Sequence, residues 1–442
     1  MKYQKQLLAV VLSTLFSSLT WATNGMNLEG YGARSSAMGG AGMAFDTGNS
    51  AVMNNPATLA MVQEGTARFG LGVRMLGPDV SASMPGTQAD SDGTAYYMPS
   101  ISYMRRGGKF TYGAAVLAQG GMGTDYSANS FLAAGSGQEV RSEVGVGRVM
   151  LPLAYDVNER LNIGGSFDIV WAGMDLKMAV PSANLAGMIR SYDAGWTPAV
   201  TTGFGGATWG RFDFSNGNDY TGKARGYGVA GKLGFTYKMT DTLTIGATYH
   251  TETAISDLET DGATLSTDTG GSITGTIKVR DFQWPATYGL GIAYQPNDRW
   301  LFAADYKRIN WSEVMQAFRM TFIEPTLGAM DVAMPQYWED QHVIALGVQY
   351  QYNDRLALRF GYNHASNPVP DTYLNPLFPA IVEHHITAGF GYRMSDSDNI
   401  GFALTYAPEV TAVNPNGGGP GVPVTSAHSQ INWSLNYVHT FR

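Results

Sequence analysis

The chain has 442 residues, of which 14% are charged and 44% apolar, with 55 Gly, 24 Tyr, 9 Trp, no Cys and a net charge of -8. An average soluble domain carries about 25% charged residues and about 7% Gly, so charge is nearly halved here and Gly is enriched. The lack of Cys excludes a disulfide scaffold, a thiolate metal site, a Cys nucleophile and a lipoprotein anchor, and the acidic balance leaves no basic footprint for nucleic acid.

At the N-terminus, Lys2 and Lys5 precede an apolar stretch from Leu7 to Leu19, then Thr20-Trp21-Ala22. A charged start, a short apolar run and a small-residue site predict a signal peptide over 1–22. Beyond Ala22 no run of about 18 apolar residues follows, so a membrane could be crossed only by a closed β-barrel.

Period two then runs along the chain. Phe69, Leu71, Val73 and Met75 alternate with Arg68, Gly70, Gly72 and Arg74. Phe110, Tyr112, Ala114 and Val116 repeat the pattern, as do Phe167, Ile169 and Trp171 around Asp168, and Trp433, Leu435, Tyr437 and Phe441 near the end. Alternation of this kind gives one apolar face and one small or polar face per strand. Short polar turns occur at Arg106-Gly107-Gly108, Asn158-Glu159, Thr240-Asp241, Asn297-Asp298, Asn353-Asp354 and Ser395 to Asp398. Between them lie long Gly- and Ser-rich segments at about 77–95, 122–139, 178–222, 256–270, 312–340, 366–383 and 408–427. Strict alternation of short and long connections is the pattern of periplasmic turns and external loops. The expectation is an all-β fold, a 14-stranded antiparallel transmembrane β-barrel over 65–442 with both ends in the periplasm. That count treats 272–295 as one long strand bulged at Pro285, and a parity break near Gly147 and Arg148 suggests a second bulge. Tyr103, Tyr155, Tyr237, Tyr294, Trp300 and Tyr392 fall beside the short turns, as an interfacial aromatic girdle would.

Residues 23–64 read as neither strand nor ordinary helix; they are rich in Gly, Ala, Ser and Met and end in Asn54-Asn55-Pro56-Ala57. A lumen of this width needs filling, and a small-residue segment can pack inside the wall as a plug, or hatch. The stretch from Gly30 to Ala60, with Gly39-Gly40-Ala41-Gly42-Met43-Ala44-Phe45-Asp46 and the hatch motif Asn55, Pro56 and Ala57, resembles the hatch of the FadL/TodX family of outer-membrane transporters. Asp281 to Pro285, Gly291 to Tyr294 and Ile309-Asn310-Trp311 are similar to that family's later strands. The resemblance implies passive uptake of hydrophobic compounds, either long-chain fatty acids or aromatic hydrocarbons, with lateral exit at a kinked third strand.

Three sets of residues map onto that scheme. Leu185, Met188 and Ile189, in the longest loop, are candidates for an external apolar groove. By resemblance, Met26 or Leu28 contributes an apolar side chain to an internal pocket. Strand parity turns Arg68, Arg74, Arg148, Lys232, Lys278, Arg280, Lys307 and Arg359 inward; Arg148 is the candidate partner for a fatty-acid carboxylate, although lumen acids such as Asp168 and Asp305 compete for it. Gly120 and Gly121, ending the third strand, are candidates for the lateral exit.

No cofactor or metal is expected. The partners expected are hydrophobic small molecules (fatty acid, alkane or arene) and outer-membrane lipid, and the barrel is expected to be a monomer in the outer membrane of a Gram-negative bacterium. The alternatives are a general porin and, in another class, a barrel enzyme. Neither Gly-x-Ser-x-Gly nor His-Glu-x-x-His occurs, and adjacent strand residues His384 and His385 face opposite ways. Phe441 is penultimate and Arg442 last, whereas barrel chains often end on an aromatic residue.

Overall fold

The computed structural model describes residues 24–214 and 224–441. The expected signal peptide, the end of the longest loop and Arg442 lie outside the described residues. In chain order, helices α1 (Gly32–Ser36) and α2 (Ala51–Asn54) precede β1 (Ala67–Leu76), β2 (Pro78–Met84), β3 (Thr87–Asp90), β4 (Tyr96–Gly107) and β5 (Phe110–Tyr126). Next come β6 (Val140–Asp156), β7 (Leu161–Pro181), helix α3 (Ser182–Met188), β8 (Ile189–Tyr192) and β9 (Trp209–Asp213). They are followed by β10 (Ala224–Lys238), β11 (Leu243–His250), β12 (Ala254–Ile255), β13 (Leu258–Thr267), β14 (Gly271–Arg280), β15 (Thr287–Asn297) and β16 (Trp300–Ile309). The last are β17 (Ala317–Glu324), β18 (Gly328–Pro335), β19 (Gln341–Gln351), β20 (Leu356–Ala365), β21 (His384–Arg393), β22 (Asp398–Asn414) and β23 (Val424–Phe441).

Antiparallel pairing makes a closed wall. β1 pairs with β4, and the ladder continues through β5, β6, β7, β10, β11, β15, β16, β19, β20, β21 and β22 to β23. β23 returns to β1, from Ala67 opposite Phe441 to Met75 opposite Trp433. Closure satisfies the backbone within the sheet, as hydrocarbon demands. The alternation read from sequence sets the faces: Phe167, Leu233, Leu290 and Phe360 point outward and are exposed, while Asp168, Lys232 and Asp305 point inward and are buried. Beside the short turns, Trp300 stacks on Phe302 at 5.7 Å and Phe110 packs on Tyr155 at 4.8 Å.

The long connections carry strands of their own. β2–β3, β13–β14 and β17–β18 are hairpins at the long-loop end of the barrel. Residues 272–295 are therefore not one bulged strand: β14 belongs to a hairpin, residues 281–286 are irregular, and β15 re-enters the wall. The register slip also lies elsewhere than expected. β6 pairs regularly with β7 from Arg141 to Asp156, and the bulge sits on β5, between Ala118 and Gly120. Lys278 and Arg280 do not face the lumen; in the β13–β14 hairpin they pair with Glu259 and Asp257.

The hatch fills the lumen and is held by wall side chains. Asn55 is extended, as a residue before proline tends to be. Its Nδ2 donates to the carbonyls of Met43 (2.7 Å) and Phe235 (3.0 Å), and its Oδ1 accepts the Ala57 amide at 3.1 Å. A Cβ at Gly234 would lie 2.1 Å from Asn55 Oδ1, and one at Gly164 would lie 2.7 Å from the Ala57 nitrogen. Small wall residues thus form the floor on which Asn55-Pro56-Ala57 rests. Asp305 accepts the amides of Gly42 and Met43 at 2.7 and 3.1 Å, and Lys307 donates to the Gly40 carbonyl at 3.0 Å. The Arg74–Glu29 ion pair (2.5 Å) and the Arg68–Asp46 pair (3.0 Å) tie the hatch to β1.

Candidate substrate passage

The wall is incomplete between β4 and β5. β1 pairs with β4 as far as Leu76 and Tyr96, and β5 pairs with β6 as far as Tyr126 and Val140, yet the β4–β5 ladder stops at Ile101 and Val116. Beyond that pair Tyr96–Ser100 and Leu117–Tyr126 diverge. Pro99 sits on the β4 rim, and with no N–H it suits a strand edge. On the β5 rim the bulge turns the backbone inward, and the start of the hatch takes the missing neighbour's place. Asn27 bridges Gly120, the Gly121 amide donates to the Met26 carbonyl at 3.0 Å, and the Tyr31 hydroxyl donates to the Gln119 carbonyl at 2.6 Å. Irregular backbone at membrane depth is tolerated when protein satisfies it in this way. Gly120 is required by the close approach, since a Cβ there would lie 2.1 Å from the Met26 oxygen.

A cavity of about 530 Å³ occupies this gap. Its rims are Tyr96 to Pro99 on one side and Leu117, Ala118 and Gly120 to Gly123 on the other, with Trp171 and Val144 to Gly147 behind. Residues of both barrel faces line it: Tyr97 points outward, 47% exposed, whereas His428 is buried on the luminal side. The cavity therefore crosses the wall.

Above the hatch, an apolar cluster extends from the loop cap to Met26. Trp284, Trp311 and Trp338 form an edge-to-face column within it, with centroids 5.6 and 5.3 Å apart. The Trp284 indole N–H donates to Asn27 Oδ1 at 2.7 Å, which joins the column to the hatch start beside Gly120. Trp284 and Trp311 lie in the sequence blocks noted above; that they stack is a tertiary fact with no local signal.

The candidates separate as follows. Gly120 and Gly121 lie on the cavity rim. Met26 is buried within the apolar cluster, and Leu28 is buried beside Tyr31 and Arg74. Arg148 is fully buried and does not reach the cavity; Nη1 binds Asp168 at 2.7 Å and Nε binds Gln119 at 2.6 Å, while Lys232 holds the same Asp168 at 2.6 Å. Leu185 is 0% exposed, which corrects its expected place in an open groove: α3 folds back and packs it over Gly210. Met188 and Ile189 are half-buried on the same cap.

Comparison with known proteins bears on this geometry. Residues 10–441 match the family described as "Outer membrane protein transport protein (OMPP1/FadL/TodX)". The chain belongs to that family. It is similar to the structure of the P. putida toluene transporter TodX, with 32% identity and a TM-score of 0.83 over 94% of this chain and 100% of that one. It is 23% identical over 435 residues to the long-chain fatty acid transport protein of Shigella flexneri, covering 91% of this chain and 92% of that protein. A shorter match, 50% identical over 113 residues, is to an uncharacterized Chlorobium limicola protein, spanning 25% of this chain and 55% of that protein. Family membership makes the chain an outer-membrane transport protein of the β-barrel type.

Proposed function

We propose that this protein mediates passive uptake of uncharged hydrophobic compounds of arene size, releasing them sideways into the bilayer between β4 and β5. The cavity crossing the wall at that gap is the observation that carries the reading. Its volume, about 530 Å³, falls in the usual range for small-ligand pockets. Among the described residues, no lysine or arginine lines it, and it contains Glu143. A fatty-acid carboxylate there would be buried with no cationic partner, which is costly. Four luminal cations are committed to acids: Arg148 and Lys232 to Asp168, Arg74 to Glu29 and Arg68 to Asp46. The higher identity to the toluene transporter than to the fatty acid protein agrees. One observation favours a fatty acid instead: two cations share Asp168, and Nη2 of Arg148 has no hydrogen-bond partner.

In this scheme Met188 and Ile189 contact the compound outside, Met26 and Leu28 contact it inside, and Gly120 and Gly121 shape the exit. Asn55, Pro56 and Ala57 anchor a hatch spanning 23–64, inside a barrel spanning 65–442 that acts as a monomer with outer-membrane lipid as the receiving phase. Residues 1–22 serve as the signal peptide. We propose fourteen wall strands, a number supported by the ring of neighbours that runs from β1 through β4 and back by way of β23. Expression in cells lacking their own hydrocarbon and fatty-acid transporters, with labelled toluene and labelled oleate supplied separately, tests the reading. Toluene uptake should rise above the vector control and oleate uptake should not; a rise in oleate alone contradicts it.

A further inference from the structure

A second cavity, of about 420 Å³, lies beneath the hatch at the short-turn end of the barrel. Its charge contrasts with that of the chain. The whole protein carries -8, yet five arginines and two aspartates line this space. Arg355 and Arg393 are exposed at its mouth, near the β19–β20 turn and the end of β21.

Deeper in, the charges are less well matched. Arg359, on β20, is 8% exposed; its Nε binds the neutral side chain of Gln349 at 2.8 Å, and it makes no ion pair among the described residues. A Cβ at Gly391 would lie 2.5 Å from Arg359 Nη2, so the neighbouring strand leaves room for the guanidinium to lie along the wall. Facing it from the hatch, Arg34 stacks over Phe45 at 5.4 Å, and its buried Nε has no hydrogen-bond partner. Asp46 lines the same cavity, but Arg68 takes it at 3.0 Å. A buried guanidinium without a counter-charge is costly, and paired guanidinium forks match the oxygens of a phosphate group.

We propose that Arg359 and Arg34 form an oxyanion site that takes a phosphate group at the periplasmic mouth. The phosphate comes from free inorganic phosphate or from a phospholipid headgroup. The anion joins hatch to wall, because one arginine belongs to each.

Thermal unfolding of the full protein in dodecyl maltoside tests the site. Two probes are added at constant ionic strength, with chloride as the balance: inorganic phosphate and soluble dihexanoyl phosphatidylglycerol. A saturable rise in Tm with inorganic phosphate, weakened about tenfold in apparent affinity in R359Q and in R34Q, identifies a free anion. A rise with the lipid alone, weakened in the same variants, identifies a headgroup. Each variant is compared with its own phosphate-free baseline, and calorimetric titration measures binding directly where its Tm is altered. R160Q, on an exposed turn outside the cavity, should respond as the parent does. No response to either probe, or a response undiminished in both R34Q and R359Q, overturns the proposal.

Discussion

The amide of Gly121 donates to the carbonyl of Met26 at 3.0 Å, so the start of the hatch occupies the strand position that β4 leaves vacant. The same backbone pair couples the plug to the gap in the wall. Adding a methyl group at Gly120 places it against the Met26 oxygen, which is backbone and cannot rotate away. Gly120→Ala should destabilise the junction by about 1–3 kcal/mol. Hydrogen exchange of the Gly121 amide should accelerate, and an unchanged rate would mean that the contact is not formed in the membrane.

Asn55→Ala removes the two hydrogen bonds its side-chain amide donates and the one its Oδ1 accepts from Ala57. The carbonyls of Met43 and Phe235 would lose a buried partner, at about 1–3 kcal/mol each. Proteolysis of the hatch in the folded barrel should become much faster while the barrel resists heat-denaturing electrophoresis as before. Gly234→Ala, which crowds Asn55 Oδ1, should give a milder form of the same effect.

Attachment of the hatch should depend on pH through Glu29. Burial opposes its ionisation, but Arg74 prevails and lowers the carboxyl from its ordinary 4.5 to about 2. The folded value lies below the unfolded one, so the stabilisation is fully present above about pH 4.5 and is lost as pH falls toward 2. Monitoring hatch release against pH should show this acid limb in the parent and a smaller one in E29Q, where the Arg68–Asp46 pair still ties the hatch to β1; an identical limb in both would assign the transition to other groups.

Leu185 packs inside the loop cap, so Leu185→Ser should act on folding of the cap. The expected cost is about 2–5 kcal/mol, seen as loop cleavage by protease. Met188→Ser and Ile189→Ser should leave cleavage unchanged and reduce uptake at low substrate concentration. The reverse pattern would place the external contact at Leu185.

How much of this was legible in the sequence follows from the range of each signal. Alternation such as Phe167-Asp168-Ile169 is local, so face and strand could be read directly, and so could turns such as Asn353-Asp354. The extra hairpins could not: β14 and β15 join into one apparent strand because Trp284-Pro285 lacks a turn signature. Parity turned Arg68, Arg74 and Arg148 inward correctly but was silent on what they meet, and all three meet carboxylates of the hatch or wall. Gly120 and Gly121 announced irregularity on β5. The other rim, at Pro99, becomes visible only when pairing across β4 and β5 is known. Apolar content marked the longest loop, but not that Leu185 would turn inward, since burial there depends on Gly210, well outside the local sequence.

Lateral release is tested most directly by closing the gap. Pro99 and Ala118 lie on opposite rims of the cavity, and the chain has no native Cys to interfere. A disulfide between Pro99→Cys and Ala118→Cys requires the rims to approach to a Cα separation of about 4.4–6.8 Å. Toluene uptake should fall to the vector background in the oxidised protein and return on reduction. Undiminished uptake in protein shown to be fully oxidised would contradict release through the wall.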